Sequence, residues 1–230
     1  MPQHIGIVAC SAEGAALCYR TICLEGVDLL GRYAHPEITM HTHPLSEYMR
    51  FIEAGDWNGV ATLMISSTEK VARAGADFAI CPDNTIHQAF SQVVAKSTIP
   101  WLHIAGEVAT EAKRKNHRRL GVLGTRYLME GPVYSEKLAE MYLDHRIPDA
   151  GERERINEII FTQLVNGRFT DESRSYFRQV IQNLKDRGCD AVVLGCTEIP
   201  LLVTADVSPL PTLDSTRLLA RAALRRAAAG

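Results

Sequence analysis

Gly75-Ala76-Asp77-Phe78-Ala79-Ile80-Cys81-Pro82-Asp83-Asn84-Thr85 and Gly188-Cys189-Asp190-Ala191-Val192-Val193-Leu194-Gly195-Cys196-Thr197-Glu198 share one construction. Each opens on a glycine suited to ending a helix, passes an aspartate into a short apolar run, and finishes in small polar residues. Such a run, bounded by turn signals, reads as a buried strand of a parallel sheet. The two stretches lie 113 residues apart (75 to 188), and Ile5-Gly6-Ile7-Val8-Ala9-Cys10 falls over Leu120-Gly121-Val122-Leu123-Gly124-Thr125 at an offset of 115 (5 to 120). Two matches at nearly one offset mark an internal repeat. The fold class expected is therefore α/β, with two similar parallel-sheet lobes facing each other across a cleft. Ligands in open α/β sheets bind at the carboxyl ends of the strands.

The rest of the chain fits this pattern. Strands are expected at residues 4–9, 37–41, 77–81, 101–104, 119–124 and 190–194. Helices are expected at 12–25, 56–74, from about 86, 151–165, 171–187 and from about 215. Residues 142–151 show no clear period. The lobes are drawn as residues 1–98 with 209–230, and 99–208. Of the 230 residues, 46% are hydrophobic and 23% charged, as in a globular protein with a real core. A net charge of −2 with no basic run speaks against nucleic acid as a partner. No apolar stretch approaches the roughly 18 residues of a membrane span. The N-terminus lacks the basic start and long apolar region of a signal peptide, so a cytoplasmic location is expected. There the six cysteines, none in a CxxC spacing, stay reduced. Cys18, Cys23 and Cys189 read as small buried hydrophobes.

Eight residues past each repeat glycine stand Asp83 and Cys196, and Cys10 and Thr125 form a second equivalent pair. Here the sequence resembles a known family. Gly195-Cys196-Thr197-Glu198-Ile199-Pro200 is similar to the second cysteine motif of the aspartate/glutamate racemase superfamily, and Asn84-Thr85-Ile86-His87 resembles the end of its first motif, Cys-Asn-Thr-Ala-His. Leu123-Gly124-Thr125-Arg126 with Met129 resembles a further signature, and Gly75-Ala76-Asp77, Ile99-Pro100 and Leu213-Asp214-Ser215-Thr216 extend the likeness. Glu198 follows the aspartate-racemase branch. The resemblance implies two Rossmann-like lobes related by a pseudo-twofold axis with the active site in their cleft, a homodimer, and racemisation of an amino acid without pyridoxal phosphate. It also implies two acid/base groups on opposite faces of the α-carbon, one per lobe. The absence of a P-loop, a GxGxxG after the first strand, an HExxH and a recognisable Schiff-base lysine agrees with no cofactor and no metal. His41-Thr42-His43, an HxH without further ligands, reads as incidental.

Three departures qualify the resemblance. Asp83 stands where the family has its first cysteine. It reads either as a turn residue bonded to its own backbone or as the second acid/base. Cys81 shares its strand face but aligns with Leu194, which favours a buried structural thiol. Carboxylate and thiolate differ in intrinsic proton affinity by roughly 6 kcal/mol, so the pair Cys196 and Asp83 is unequal and one-way or attenuated racemisation is expected. Secondly, Cys10 and Ser11 replace family glycines, and Ser11 reads as a helix cap. The helix starts after Ser11, Asn84 and Thr197 offer N–H groups to a carboxylate substrate. Ser11, Asn84, Thr85, Thr125 and Thr197 are the expected substrate-binding residues. Thirdly, Arg168 falls where the family has a carboxylate-binding lysine and joins that set, while Arg50 lies a turn beyond the expected arginine. Cys10, Cys81, His87 and Glu198 are auxiliary candidates. The alternatives are a single-cysteine enzyme that protonates a carbanion, such as an arylmalonate-type decarboxylase, and a non-catalytic amino-acid-binding relative.

Overall fold

β1 (Ile5–Ala9) is buried at every position, as an unbroken apolar run must be when helices cover both faces of its sheet. The computed structural model describes residues 1–230. After β1 come α1 (Ala12–Leu30), β2 (Ile38–Thr42), α2 (Leu45–Glu53), α3 (Trp57–Arg73), β3 (Phe78–Ile80), a 3-10 turn over Thr85–Ala89 and α4 (Phe90–Val94). These strands form a parallel sheet of order β2-β1-β3. Next follow α5 (Ile104–Arg114), β4 (Arg119–Leu123), α6 (Arg126–Glu130), α7 (Pro132–Glu140), β5 (Asp144–Arg146), α8 (Ala150–Thr162), α9 (Asp171–Asp186), β6 (Ala191–Leu194), α10 (Ile199–Leu202) and β7 (Thr212–Asp214). The second sheet is also parallel, in the order β5-β4-β6-β7. α11 (Ser215–Ala229) closes the chain. Two units result: Met1–Ile104 with Thr216–Gly230, and Ala105–Ser215.

The sequence repeat is a repeat of backbone. Ile5, Gly6 and Ile7 of β1 pair with Phe78, Ala79 and Ile80 of β3. Leu120, Gly121 and Val122 of β4 pair with Ala191, Val192 and Val193 of β6. The offsets are the 115 and 113 seen in the sequence, so the register is the same in both sheets. Asp77 N–H donates to the His4 carbonyl at 2.9 Å, and Asp190 N–H to that of Arg119 at 2.9 Å. The two carboxylates answer the same strands: Asp77 accepts from His4 N–H at 2.7 Å, and Asp190 from Arg118 N–H at 2.7 Å. Gly6 and Gly121 are both kept bare by a neighbour. A Cβ there would lie 2.7 Å from Val71 and 2.8 Å from Leu184 respectively, residues themselves 113 apart. Gly75 and Gly188 end α3 and the turn after α9 with φ of 99° and 83°, the left-handed region open to glycine.

Each unit has its own core. In the first, Ile5, Ile7, Ile22, Phe78 and Ile80 pack with Leu219, Ala223 and Leu224 of α11. In the second, Leu123, Ile156, Ile160, Phe177, Val180, Leu184 and Val192 pack together.

The elements differ from expectation in several places, and α5, α6, α7, β5, α10 and β7 stand where the sequence pattern gave no element. Residues 101–104 make only an isolated bridge, Trp101 to Ala79, and the chain enters α5 at Ile104. β7 pairs with β6, so residues 209–215 fall with the second unit rather than the first. α2, with Tyr48 and Ile52 buried, occupies a stretch to which the sequence pattern gave no element. The helix expected from about residue 86 is a 3-10 turn running into the short α4.

Candidate functional site

Asp83 lies three residues beyond β3, in a loop held from several sides. Its Oδ2 accepts a hydrogen bond from the Ser11 amide at 2.9 Å and another from the Ser11 hydroxyl at 3.3 Å. Ser11 is the N-cap of α1, where its Oγ accepts from Gly14 N–H at 3.2 Å. The carboxylate thus joins the loop after β3 to the start of the helix after β1, so it is not merely a turn residue bonded to its own backbone. It is half-buried, and Cys10, Asn84 and His87 around it are buried.

Two neighbours fix the loop's backbone. Cys81 Sγ donates to the Asp83 carbonyl at 3.8 Å, and burial, with the Asp83 charge second, pushes that thiol well up. A thiol so held is a poor source of thiolate. The His87 ring Nδ1 lies 2.8 Å from the same carbonyl, while Nε2 accepts from Ile104 N–H at 3.3 Å. The second contact leaves Nδ1 carrying the proton, so this is a neutral imidazole bracing the loop against the start of α5. Burial pushes it down to about 4, against a smaller upward effect of the Asp83 carbonyl. Asn84 accepts the His87 N–H through its own carbonyl at 3.1 Å, and Thr85 begins the 3-10 turn.

Cys196 occupies the equivalent place after β6. Its Sγ donates to Glu198 Oε2 at 2.9 Å, with the cysteine 9% and the glutamate 4% exposed. A thiol aimed at a carboxylate two residues away is a thiol with a proton acceptor at hand. Gly195 makes the approach feasible: its N–H donates to Leu123 O at 2.8 Å, and a Cβ there would come within 2.7 Å of that carbonyl oxygen. Thr197 is buried beside Cys196. Thr125 caps α6 by accepting from Leu128 N–H at 3.2 Å.

Several expected residues stand differently. Arg168 is exposed, and its guanidinium donates to the Thr162 carbonyl at the end of α8. Arg50 stacks over Phe51 at 4.7 Å. Of the three helix starts, only that after Ser11 leads a long helix. Asn84 precedes a 3-10 turn, and Thr197 lies two residues before the one-turn α10. His41 and His43 pack edge to face at 4.9 Å, and their ring nitrogens lie against serine hydroxyls and Lys70. No three His, Cys, Asp or Glu side chains gather to hold a metal ion. Tyr48, which the sequence reading passed over, is fully buried on α2. Only the position of α2 reveals it, since a lone tyrosine in an amphipathic stretch carries no signal of its own.

The chain resembles known proteins over most of its length. Residues 22–223 match the profile of the Asp/Glu/Hydantoin racemase family. The broad specificity amino-acid racemase RacX of Bacillus subtilis (strain 168) is 20% identical over 171 residues, 72% of this chain and 71% of that protein. Among solved structures, a Yersinia pestis protein assigned as an Asp/Glu racemase superposes with a TM-score of 0.90 at 32% identity, covering 98% of this chain and 99% of that one. An aspartate racemase homologue from Pyrococcus horikoshii OT3 gives 0.85 at 26% identity, with 99% of both chains covered. No helix is long and apolar enough to cross a membrane.

Proposed function

The chain belongs to the Asp/Glu/hydantoin racemase family, and on that premise we propose that it racemises an amino acid without a cofactor, with Cys196 and Asp83 as its two acid/base groups. The family and its relatives support an amino-acid racemase, an isomerase acting on small amino-acid substrates. One observation carries the assignment to residues. Positions 83 and 196 stand at the same point of a duplicated backbone, each just past the strand paired in the same register to the first strand of its sheet.

The chemistry proceeds in two proton transfers. Glu198 receives the Cys196 proton transiently, against roughly 6 kcal/mol of intrinsic difference, and the thiolate removes the α-proton, re-forming the thiol and leaving a carbanion beside the substrate carboxylate. Asp83, as the acid, returns a proton to the opposite face and becomes a carboxylate. General acid–base catalysis of this kind contributes about 100- to 10,000-fold per group. The reverse direction asks Asp83 as a carboxylate to remove the α-proton. With roughly 6 kcal/mol less intrinsic proton affinity than a thiolate, it is the weaker base, so turnover is faster from one enantiomer than from the other. Ser11, Asn84, Thr85, Thr125 and Thr197 supply polar groups for the substrate's carboxylate and amine.

The test is incubation with L- and D-amino acids in D2O, following α-deuterium and optical rotation. Inversion with α-exchange, faster from one enantiomer and abolished by Cys196→Ala, is the expected result. The proposal fails if no amino acid exchanges, or if Cys196→Ala leaves exchange intact.

A further inference from the structure

Along the exposed side of α9 runs a hollow of about 280 Å³, lined by Arg174, Ser175, Arg178, Asp206 and Val207. A second, of about 350 Å³, adjoins it and shares Ser175 and Arg178. Two opposite charges line the first hollow without closing on each other, for neither Arg178 nor Asp206 is in an ion pair. Helix α9 gives Arg178 no acid of its own, since the residues one turn away are Arg174, Ser175, Ile181 and Gln182. Arg174, by contrast, is anchored. Its guanidinium donates to the Leu202 carbonyl at 2.7 Å and lies 3.7 Å from Asp171.

A guanidinium left open offers paired N–H donors in the geometry of a carboxylate. Asp206 offers the reverse. The Thr204 hydroxyl first, then the residue's own backbone and the charge of Arg174, hold its carboxyl below the usual carboxylate range. A ligand with a carboxylate and an ammonium on neighbouring atoms answers both ends at once. An anion alone is repelled by Asp206, and a cation alone by Arg178. The first hollow has room for a small zwitterion, and the adjoining one for its side chain. The place is also connected to the candidate site. Arg174 holds Leu202, the last residue of α10, whose N-cap is Glu198, the hydrogen-bond acceptor of Cys196.

We propose that this hollow is an effector site for a free α-amino acid, its carboxylate on Arg178 and its ammonium on Asp206, acting through Arg174 and α10. A carboxylate bound there competes with the Leu202 carbonyl for Arg174, which gives the ligand unequal affinity for two settings of α10. Binding stands apart from the reaction assigned to Cys196, whereas the effect on rate rests on that reading. An enzyme that interconverts amino acids would thereby answer to the size of the pool it draws on.

The binding test uses the Cys196→Ala protein in titration calorimetry, so that turnover does not obscure the heats, with glycine, acetate and methylamine as probes. Glycine is expected to bind, and acetate and methylamine to bind at least about 10-fold more weakly, since each makes one charged contact. Arg178→Ala and Asp206→Asn are each expected to weaken glycine by about 10- to 100-fold with the thermal midpoint unchanged. In the otherwise native chain, glycine is expected to change the α-exchange rate of a second amino acid by about 5-fold or more. Arg178→Ala is expected to abolish that change, whereas competition at Cys196 would persist. No glycine binding, binding that Arg178→Ala leaves intact, or acetate as tight as glycine overturns the inference. So does binding that leaves the rate unchanged, or a rate effect that survives Arg178→Ala. If Cys196→Ala leaves exchange intact, the reading of the catalytic residue falls, and the two binding variants still decide the site.

Discussion

The Cys196 thiol and the Glu198 carboxylate are two residues apart, buried, and 2.9 Å from one another. Glu198→Gln preserves the shape and can still accept a hydrogen bond, but it cannot take the proton. It is expected to slow α-proton exchange by about 100-fold while leaving the thermal midpoint nearly unchanged, as deuterium exchange and calorimetry would show. His87 carries a prediction of a different kind. Its folded value of about 4 lies below the ordinary value for histidine. Between pH 4 and about 6.5 the unfolded chain therefore binds a proton that the native protein does not. Stability from this residue is full above that window and lost as pH falls through it, by about 3 kcal/mol in all. Denaturant titrations at pH 7 and pH 4 check this, with His87→Gln showing a correspondingly smaller difference between the two. An equal pH dependence in both proteins counts against it.

Among the elements, α1 bears most directly on the candidate site, because its cap and the Asp83 carboxylate share one residue. Ser11→Ala removes the bond to Gly14 N–H and the hydroxyl donor to Asp83. A loss of about 1 kcal/mol in stability is expected from the cap. A slower step at Asp83 is also expected, since one of its donors is gone, and the two effects separate by denaturant melt and single-turnover exchange. The strands and long helices of the repeat were legible in the sequence because their signals are local: an apolar run, a closing glycine, an aspartate at the strand entrance. Residues 101–104 were misread as a strand for the same reason. Trp101-Leu102-His103-Ile104 has the composition of one, but Leu102 and Ile104 pack into the first core while the chain turns into α5. At the site, the equivalence of Asp83 and Cys196 could be counted from the glycines. The contacts from Asp83 to the Ser11 amide and hydroxyl join segments far apart in sequence, and no local pattern encodes them.

The whole molecule is a duplication whose first copy is discontinuous. The second unit, Ala105–Ser215, is one stretch of chain with its core contained within it. The first draws Leu219, Ala220, Ala223, Leu224 and Ala227 of α11 into its core, and Gln3 N–H donates to Ala227 O at 2.9 Å. Removing residues 216–230 is expected to unfold the first unit and spare the second. Losing several buried aliphatic side chains at about 2–5 kcal/mol for each large one exceeds the stability of a typical domain. Hydrogen exchange by mass spectrometry on the truncated chain would show protection confined to residues 105–215. Protection retained in β1 and β3 would refute it.

The placement of α11 also sets an order of birth. A ribosome releases residue 105 long before residue 219, so during synthesis the half that begins later is the first with every part of its interior in hand. The amino-terminal sheet, made first, waits with part of its core missing until the last helix emerges.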